Sequence, residues 1–307
     1  MKIFLTGING YLGGVLTDHL NQVPEVELIT GIDVVPPQAT LPYKVKFIQM
    51  DIRSPDLARV MAGHDVVIHT AFIVLWLAKM SAEERNDINL NGIRNVAQAA
   101  VANKVRHVIH TSSAAAYELE KTAGKEGITE DYPTGTGESG IYYPDGKALA
   151  ERKLIAELDS AGITYTIFRP IYIIGPRNTE LVDYLVNDFV HIRGLNPRTQ
   201  YVHEDDVAAA HIQALGGEMT GVYNIVPDDS LHASEVMKII GRESVPVVPP
   251  WLARMIIAIK WRFFGGSVHT SWIDMSMRTA TLSNAKLRAT GWSPRYTCEE
   301  AIRSAFE

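Results

Sequence analysis

Apolar positions along the 307-residue chain fall into short continuous runs that alternate with longer segments of helical period. The first run, Ile3-Phe4-Leu5, reads as a buried strand, and Tyr11, Leu12, Val15, Leu16 and Leu20 behind it mark one face of a helix. Further strand-like runs lie at Val26–Ile32, Val45–Ile48, Asp65–Ala71, His107–Thr111 and Ile163–Phe168. Helices are predicted near Pro55–Met61, over Glu83–Asn103 and over 143–160. Such alternation predicts an α/β fold, a doubly wound parallel sheet with helices on both faces. Beyond Pro170 the pattern breaks. Residues 171–200 are mixed, while Tyr201-Val202-His203, a helix from about Asp205 to Leu215 and Val222–Val226 read as a return to the sheet. Residues 227–307 read as short helices parted by Pro and Gly. The predicted organisation is therefore a sheet domain, 1–170 plus 201–226, and a smaller, mostly helical part, 171–200 plus 227–307. Residues 118–142, rich in Gly, Thr and acids and without period, predict a long loop forming a wall or lid.

In such sheets ligands bind beyond the carboxyl ends of the strands, so the residues just after each run carry the chemistry. After the first run come Gly7, Gly10 and Gly13, then a helix start. A strand, a glycine turn and a helix N-terminus suit a pyrophosphate: the turn brings backbone N–H groups close, and the helix dipole favours the charge. Asp33 ends the second run about 20 residues past Gly13, where a carboxylate can hold a ribose 2′-hydroxyl. The pair predicts a dinucleotide site. Asp33 would repel the 2′-phosphate of NADP and no Lys or Arg lies in 34–41 to offset it, so NAD is the expected cofactor. Asp51, Thr70-Ala71-Phe72 and Thr111-Ser112-Ser113 stand at the other strand ends.

Tyr143 and Lys147 lie four apart on a predicted helix and so share one face. A phenol titrates near 10, too high for a base at neutral pH, and a neighbouring ammonium favours its ionised form. Tyr143 can then exchange a proton with a substrate hydroxyl while Ser113 holds the same oxygen. Pro144 restricts the residue before it, which predicts Tyr143 at the N-cap.

A net charge of −6 argues against nucleic acid, and the single Cys298 precludes an internal disulfide or a thiolate metal cluster. Met1 leads almost directly into the first strand and no apolar stretch is long enough to span a bilayer, so a cytoplasmic location is expected. The most apolar part of the second half, Trp251 to Phe264, is expected to be a core helix or a lining of the substrate pocket, with membrane contact a minor alternative because Arg254, Lys260 and Arg262 interrupt a run too short to span. His203-Glu204-Asp205-Asp206 reads as a helix start rather than a metal site, and Arg177, Arg193 and Arg198 as exposed cations able to grip a phosphate.

The ordered motifs resemble those of the extended short-chain dehydrogenase/reductases, in their NAD-dependent epimerase/dehydratase branch. They run through Thr6-Gly7-x-x-Gly10-x-x-Gly13, Asp33, Asp51-Ile52, His69-Thr70-Ala71, Asn89-x-x-Gly92 and Ser112-Ser113-x-x-x-Tyr117. Tyr143-x-x-x-Lys147, Arg169-Pro170-x-x-x-x-Gly175-Pro176, Tyr201-Val202-His203-x-x-Asp206-Val207-Ala208 and Gly291-Trp292-x-Pro294 follow. The resemblance implies a Rossmann-type NAD-binding domain and a substrate-binding C-terminal part. It implies Ser113, Tyr143 and Lys147 as catalytic residues, Gly7, Gly10 and Gly13 on the pyrophosphate, Asp33 on the ribose and Asp51-Ile52 on the adenine. Asn9, Tyr11, Leu12, Thr70, Ala71, Phe72, Asn89, Thr111, Tyr143, Lys147 and Pro170 complete the expected cofactor shell, with Asn89 mainly structural. Ser113, Tyr172 and Arg177 are the expected substrate contacts. Ala114-Ala115 replace the Asp-Glu of the sugar-nucleotide dehydratases, and Tyr172 stands where many sugar-nucleotide enzymes carry Asn. The expected activity is nucleotide-sugar epimerisation. The alternatives are a dehydrogenase or reductase of a non-nucleotide, possibly apolar, hydroxy or keto compound, and an idle NAD-binding regulator. A small-molecule substrate is the expected partner, with no nucleic acid and no membrane. A homodimer through the helices near 83–103 and 143–160 is the expected assembly.

Overall fold

Near-continuous apolar runs make strands that are buried on both faces, and the computed structural model, which describes residues 1–74, 80–188, 192–242, 248–263 and 279–307, places them at the centre of a parallel sheet. Along the chain the elements are β1 (Lys2–Thr6), α1 (Tyr11–Asn21), β2 (Leu28–Asp33), β3 (Val45–Gln49), α2 (Leu57–Met61) and β4 (Val66–His69). Next come α3 (Ala82–Asn86), α4 (Gly92–Ala102), β5 (His107–Thr111), α5 (Leu119–Thr122), β6 (Lys125–Ile128), α6 (Tyr142–Ala161) and β7 (Thr164–Pro170). They are followed by β8 (Tyr172–Ile174), α7 (Thr179–Asp183), β9 (Arg198–Thr199), β10 (Tyr201–His203), α8 (Glu204–Gln213) and β11 (Gly221–Ile225). The last are β12 (Leu231–His232), α9 (Ala233–Ile239), α10 (Pro250–Phe263), β13 (Ala280–Leu282) and short helices at Ala285–Arg288 and Cys298–Ser304.

Two compact units result. The first comprises Met1–Tyr117, Thr134–Pro170 and Val207–Tyr223, and the second Glu118–Pro133, Ile171–Asp206 and Asn224–Glu307. The seven-stranded sheet runs in the order β11-β7-β5-β4-β1-β2-β3, and the pairs from β7 to β3 are parallel. The winding direction reverses between β1 and β4, which opens the crevice where α/β sheets bind ligands. Phe4, Ile32, Val67, Val108 and Ile167 from the strands meet Val96, Ala97 and Ala100 of α4 and Ala150, Leu154 and Leu158 of α6. The predicted helix over 83–103 forms with an interruption: a π-helical turn at Asp87–Asn91 joins α3 to α4.

Four histidines of the first unit, His69, His107, His110 and His211, are buried. The His107 ring nitrogens meet the hydroxyls of Thr164 and Thr166 at 2.8 and 2.7 Å, His69 meets Thr6 at 2.7 Å, and His211 meets Thr111 at 2.8 Å. His110 stacks on His69. Burial pushes His69 down to about 3, His107 and His211 down to about 4, and His110 well below its ordinary value. The folded protein keeps these rings neutral where the unfolded chain, with imidazoles near 6.5, takes up protons. Stability is therefore expected to fall as the pH drops from about 6.5 toward about 4, by up to about 1.4 kcal/mol per pH unit for each ring. Thermal melting across that window checks this, and a flat melting temperature contradicts it.

In the second unit β8 and β10 pair in parallel, with Tyr172 opposite Tyr201; β13 pairs with β6, and β12 with β9. Ile174, Leu185, Tyr201, Val236, Met237, Ala301 and Ile302 form its core. Two expectations are corrected here. Tyr201–His203 does not rejoin the large sheet but pairs with Tyr172–Ile174, so 201–206 belongs to the second unit. Residues 118–133, read as loop, hold α5 and β6 and belong there too, because the partner of β6 lies some 150 residues further on, at β13. An apolar run does not carry the identity of its partner strand.

Candidate active site

The glycine turn is dictated by what surrounds it. Gly7 has φ 74°, and a Cβ on it would stand 2.9 Å from the Ala71 backbone and 3.0 Å from Thr70 Oγ1. The ends of β1 and β4 thus touch at the point where the winding reverses. A Cβ on Gly13 would lie 2.0 Å from the Gly7 carbonyl, so α1 packs directly on the turn. Gly10 is the N-cap of α1, and no side chain caps that end. The first-turn N–H groups of Leu12 and Gly13 have no intrahelical acceptor and suit a pyrophosphate. Asp33 is held by the N–H groups of Asn9 and Val35, both at 3.1 Å, which leaves each carboxylate oxygen further acceptor capacity for ribose hydroxyls. Asn9 also donates to the Val35 carbonyl at 2.6 Å, so its side chain braces the loop beside Asp33. This donor and acceptor set fits a dinucleotide.

At the end of β3, Asp51 carries a partner that the sequence reading missed. Arg53 donates to it through its main-chain N–H and its guanidinium, at 2.7–3.2 Å, and reaches Asp87 at 2.7 Å. The Arg53 hydrogen bonds hold the Asp51 carboxyl below its ordinary value. Ile52 is buried beneath it; a Cβ on Gly92 would meet the Ile52 side chain at 2.4 Å, which accounts for the glycine that opens α4.

Thr70 donates its hydroxyl to the Thr6 carbonyl at 2.7 Å and so ties β4 to β1. Asn89, in the π-helical turn, accepts from the Ile73 N–H at 2.8 Å and donates to the Ile73 carbonyl at 3.0 Å. Tyr142 donates to the same carbonyl at 2.9 Å and meets Asn89 Nδ2 at 2.7 Å. Both ends of the Asn89 amide are engaged, which gives it a structural part in fixing the chain after β4.

Tyr143 hydrogen-bonds Ser113, and its ring meets Phe72 edge-on with centroids 5.8 Å apart. Lys147 is buried; its Nζ lies 3.9 Å from the Phe72 ring centroid and 5.8 Å from that of Tyr143, and donates to the Thr111 carbonyl at 3.2 Å. Ser113 Oγ also accepts from the Ala115 N–H at 3.1 Å. The expectation that Pro144 forces Tyr143 to the N-cap is corrected. Ile141 is the N-cap, and Tyr143 and Pro144 are the second and third residues of α6. First-turn N–H groups lack intrahelical acceptors, so the missing proline N–H removes no bond. Asp145 fixes this start by accepting from the Ser139 and Gly140 N–H groups at 3.0 and 2.9 Å.

The charge balance also differs from expectation. Burial raises the Tyr143 phenol above its ordinary value, with the Ser113 hydrogen bond opposing. Burial likewise pushes Lys147 down to about 7, with Glu151 opposing. The net lowering of Tyr143 by the lysine, expected from the sequence, is not met by the protein's own groups. The i, i+4 spacing shows which side chains are neighbours but not how deeply they are buried.

Beneath the pair lies a buried network that the sequence reading missed. Glu151, four residues past Lys147, accepts from Ser112 Oγ and bidentately from Arg169 at 3.0 and 2.6 Å. The Arg169 guanidinium lies 4.5 Å from the Tyr117 ring centroid. Among the described residues, Arg169 Nη1 is buried without a hydrogen-bond partner. Pro170 follows it as the last, buried residue of β7. The available signal was the repeat of four from Tyr143 through Lys147 to Glu151.

A model of the NAD dependent epimerase/dehydratase family matches residues 3–225, which spans the glycine turn, Ser113, Tyr143 and Lys147. The chain belongs to that family. Its cofactor is NAD. Among curated proteins this family member is 27% identical over 262 residues to an uncharacterized protein of Mycobacterium tuberculosis, covering 80% of this chain and 67% of that protein. It is also 27% identical over 280 residues to 3 beta-hydroxysteroid dehydrogenase/Delta 5-->4-isomerase of vaccinia virus, covering 82% of this chain and 80% of that protein. UDP-glucose 4-epimerase of Thermotoga maritima shares the fold, with a TM-score of 0.75 and 20% identity, covering 99% of this chain and 97% of that one. WbmG of Bordetella bronchiseptica, solved with NAD, superposes with a TM-score of 0.73 and 21% identity over 100% and 93% of the two chains.

For this family member Asp33, with no cation in 34–41, is expected to make NAD(H) bind about tenfold or more tighter than NADP(H). A titration at fixed salt in which NADP(H) bound more tightly would overturn that. The remaining candidates lie in the second unit. Tyr172 stacks on Tyr201 with centroids 5.5 Å apart. Arg177 faces the buried Glu204 at 4.0 Å, and Arg198 pairs with Glu126 at 3.4 Å. His203 stacks on Tyr296, and Asp206 accepts from the Arg295 and Tyr296 N–H groups, so this acidic helix start is engaged in holding the chain near 295. Phe264, at the end of the apolar segment, lies outside the described residues.

Proposed function

We propose that the protein interconverts a secondary alcohol and a ketone with NAD, using Tyr143 as the proton-transferring group. The observation that carries this is the Ser113–Tyr143 hydrogen bond at the tip of β5, with Lys147 buried beside it. Bound NAD supplies the hydride acceptor or donor. Tyr143 Oη takes the hydroxyl proton as hydride leaves the same carbon, and returns it when the ketone is reduced. Ser113 holds the substrate oxygen against Tyr143. Lys147, anchored on the Thr111 carbonyl, lies beside the Tyr143 ring, where its ammonium form would oppose the rise that burial gives the phenol. Ala114 and Ala115 follow Ser113, so no acid next to it is placed to expel water.

Two substrate classes suit this chemistry. A nucleotide-sugar epimerase would return the hydride to the opposite face, and the UDP-sugar enzymes that share the fold accord with it. Within this proposal we favour a non-nucleotide hydroxy or keto compound. Of Arg177, Arg193 and Arg198, the cations read as able to grip a phosphate, Arg177 and Arg198 face Glu204 and Glu126, and Tyr172 stands where many sugar-nucleotide enzymes carry Asn. The viral hydroxysteroid dehydrogenase, matched over most of both chains, supports the same class. A thermal-shift screen of NAD-loaded protein against hydroxysteroids, small keto compounds and sugar nucleotides tests the choice, since a ligand of the folded state raises its melting temperature. Accumulation of NADH with a non-nucleotide alcohol supports the favoured class. Interconversion of a sugar nucleotide without net NADH supports the epimerase and overturns it.

A further inference from the structure

Helix α10 presents an apolar stripe that nothing in the proposed reaction uses. Trp251, Met255, Ile259 and Phe263 recur every four residues, and Trp251 and Phe263 are 65% and 73% exposed. At 100° per residue these four positions stay within about 120° of one another. Ala253 and Ile257, on the other side, are buried, so the helix is anchored by one face and shows the other. Scattered exposed apolar residues are ordinary, whereas an exposed row of four with an aromatic residue at each end marks an interaction surface.

Charge identifies the partner. The chain as a whole has 35 acidic and 29 basic residues, yet Pro250–Phe263 carries Arg254, Lys260 and Arg262 and no acid. Arg254 and Arg262 are exposed, and Arg262 lies beside the Phe263 ring. A symmetric pairing of two copies through this face would bring like cations together with no acid on the helix to offset them. An anionic bilayer meets both features: apolar side chains enter the headgroup boundary while arginines pair with lipid phosphate. No helix among the described residues is long and apolar enough to cross a membrane, and α10, about 21 Å long, is suited to lie in the interfacial plane.

We propose that α10 docks this protein on an anionic membrane surface, with Trp251, Met255, Ile259 and Phe263 inserted and Arg254 and Arg262 on the headgroups. This revises the expectation, drawn from sequence, of no membrane contact, and it does not depend on which substrate is turned over.

Sedimentation of the full chain with phosphatidylcholine vesicles, with and without phosphatidylserine, tests it. Binding is expected only to the mixed vesicles and is expected to weaken with salt. Trp251→Ser/Phe263→Ser is expected to weaken it by more than about tenfold, and Arg254→Gln/Arg262→Gln by roughly fivefold per arginine. Both pairs are exposed and lie on α10, away from the Gly7–Gly13 turn and Asp33 in sequence, so NAD affinity is expected to stay at the wild-type value, which shows that the variants fold. Should the apolar pair fail to fold, the arginine pair and the salt dependence still decide the matter. Absence of binding to mixed vesicles overturns the proposal, and so does binding by both variants that equals the wild type. It is also overturned if the stripe variant alters only the protein's own oligomeric state in sedimentation velocity.

Discussion

Tyr143→Phe is expected to lower turnover by roughly 10²–10⁴-fold, the range for losing a positioned proton-transfer group, while NAD affinity stays at the wild-type level. Only the hydroxyl is removed. The ring remains edge-on to Phe72 and the fold of α6 is unchanged. The groups proposed to hold the pyrophosphate and ribose, at Gly7–Gly13 and Asp33, lie on other elements. Steady-state turnover and an NAD titration on the same preparation separate the two effects, and retained turnover removes Tyr143 from the mechanism. The neighbouring Tyr142 serves as a control. Its hydroxyl is committed to Ile73 and Asn89, and burial pushes it up to about 12, so Tyr142→Phe is expected to lower the melting temperature with a far smaller effect on turnover.

Glu151→Gln is expected to destabilise the protein by about 3–5 kcal/mol, because it leaves the buried Arg169 guanidinium without its counter-charge. Among the described residues, Arg169 already has one buried nitrogen without a hydrogen-bond partner. The double variant Glu151→Leu/Arg169→Met removes both charges and is expected to recover most of the loss, since a buried ion pair gains little over well-packed apolar side chains. Denaturant unfolding of the four proteins of this cycle measures the coupling, and additive losses would show that the pair is not a unit. Glu151→Gln also bears on chemistry. Glu151 opposes the burial that pushes Lys147 down to about 7, so without it the lysine loses its proton at lower pH. The limb of the pH–rate profile that reports Lys147 is then expected to move to lower pH.

Local pattern alone determined a large share of this protein. Alternating apolar runs led to the doubly wound sheet because strands buried on both faces need continuous apolar sequence. Gly7, Gly10, Gly13 and Asp33 were legible because a glycine turn and a strand-end carboxylate act within one short βαβ stretch. Tyr143 and Lys147 were legible because helical geometry fixes i, i+4 neighbours. Only the tertiary structure decided what these groups touch at long range. It placed Arg53 between Asp51 and Asp87, engaged Asn89 with the main chain of Ile73, and set Glu151 between Ser112 and Arg169. It also paired Tyr201–His203 with Tyr172–Ile174, and turned the row from Trp251 to Phe263 outward on α10. Periodicity says that a face is apolar. Whether that face meets the protein's own core or its surroundings depends on which elements the chain brings against it, and so does the depth of burial that shifts Tyr143 and Lys147.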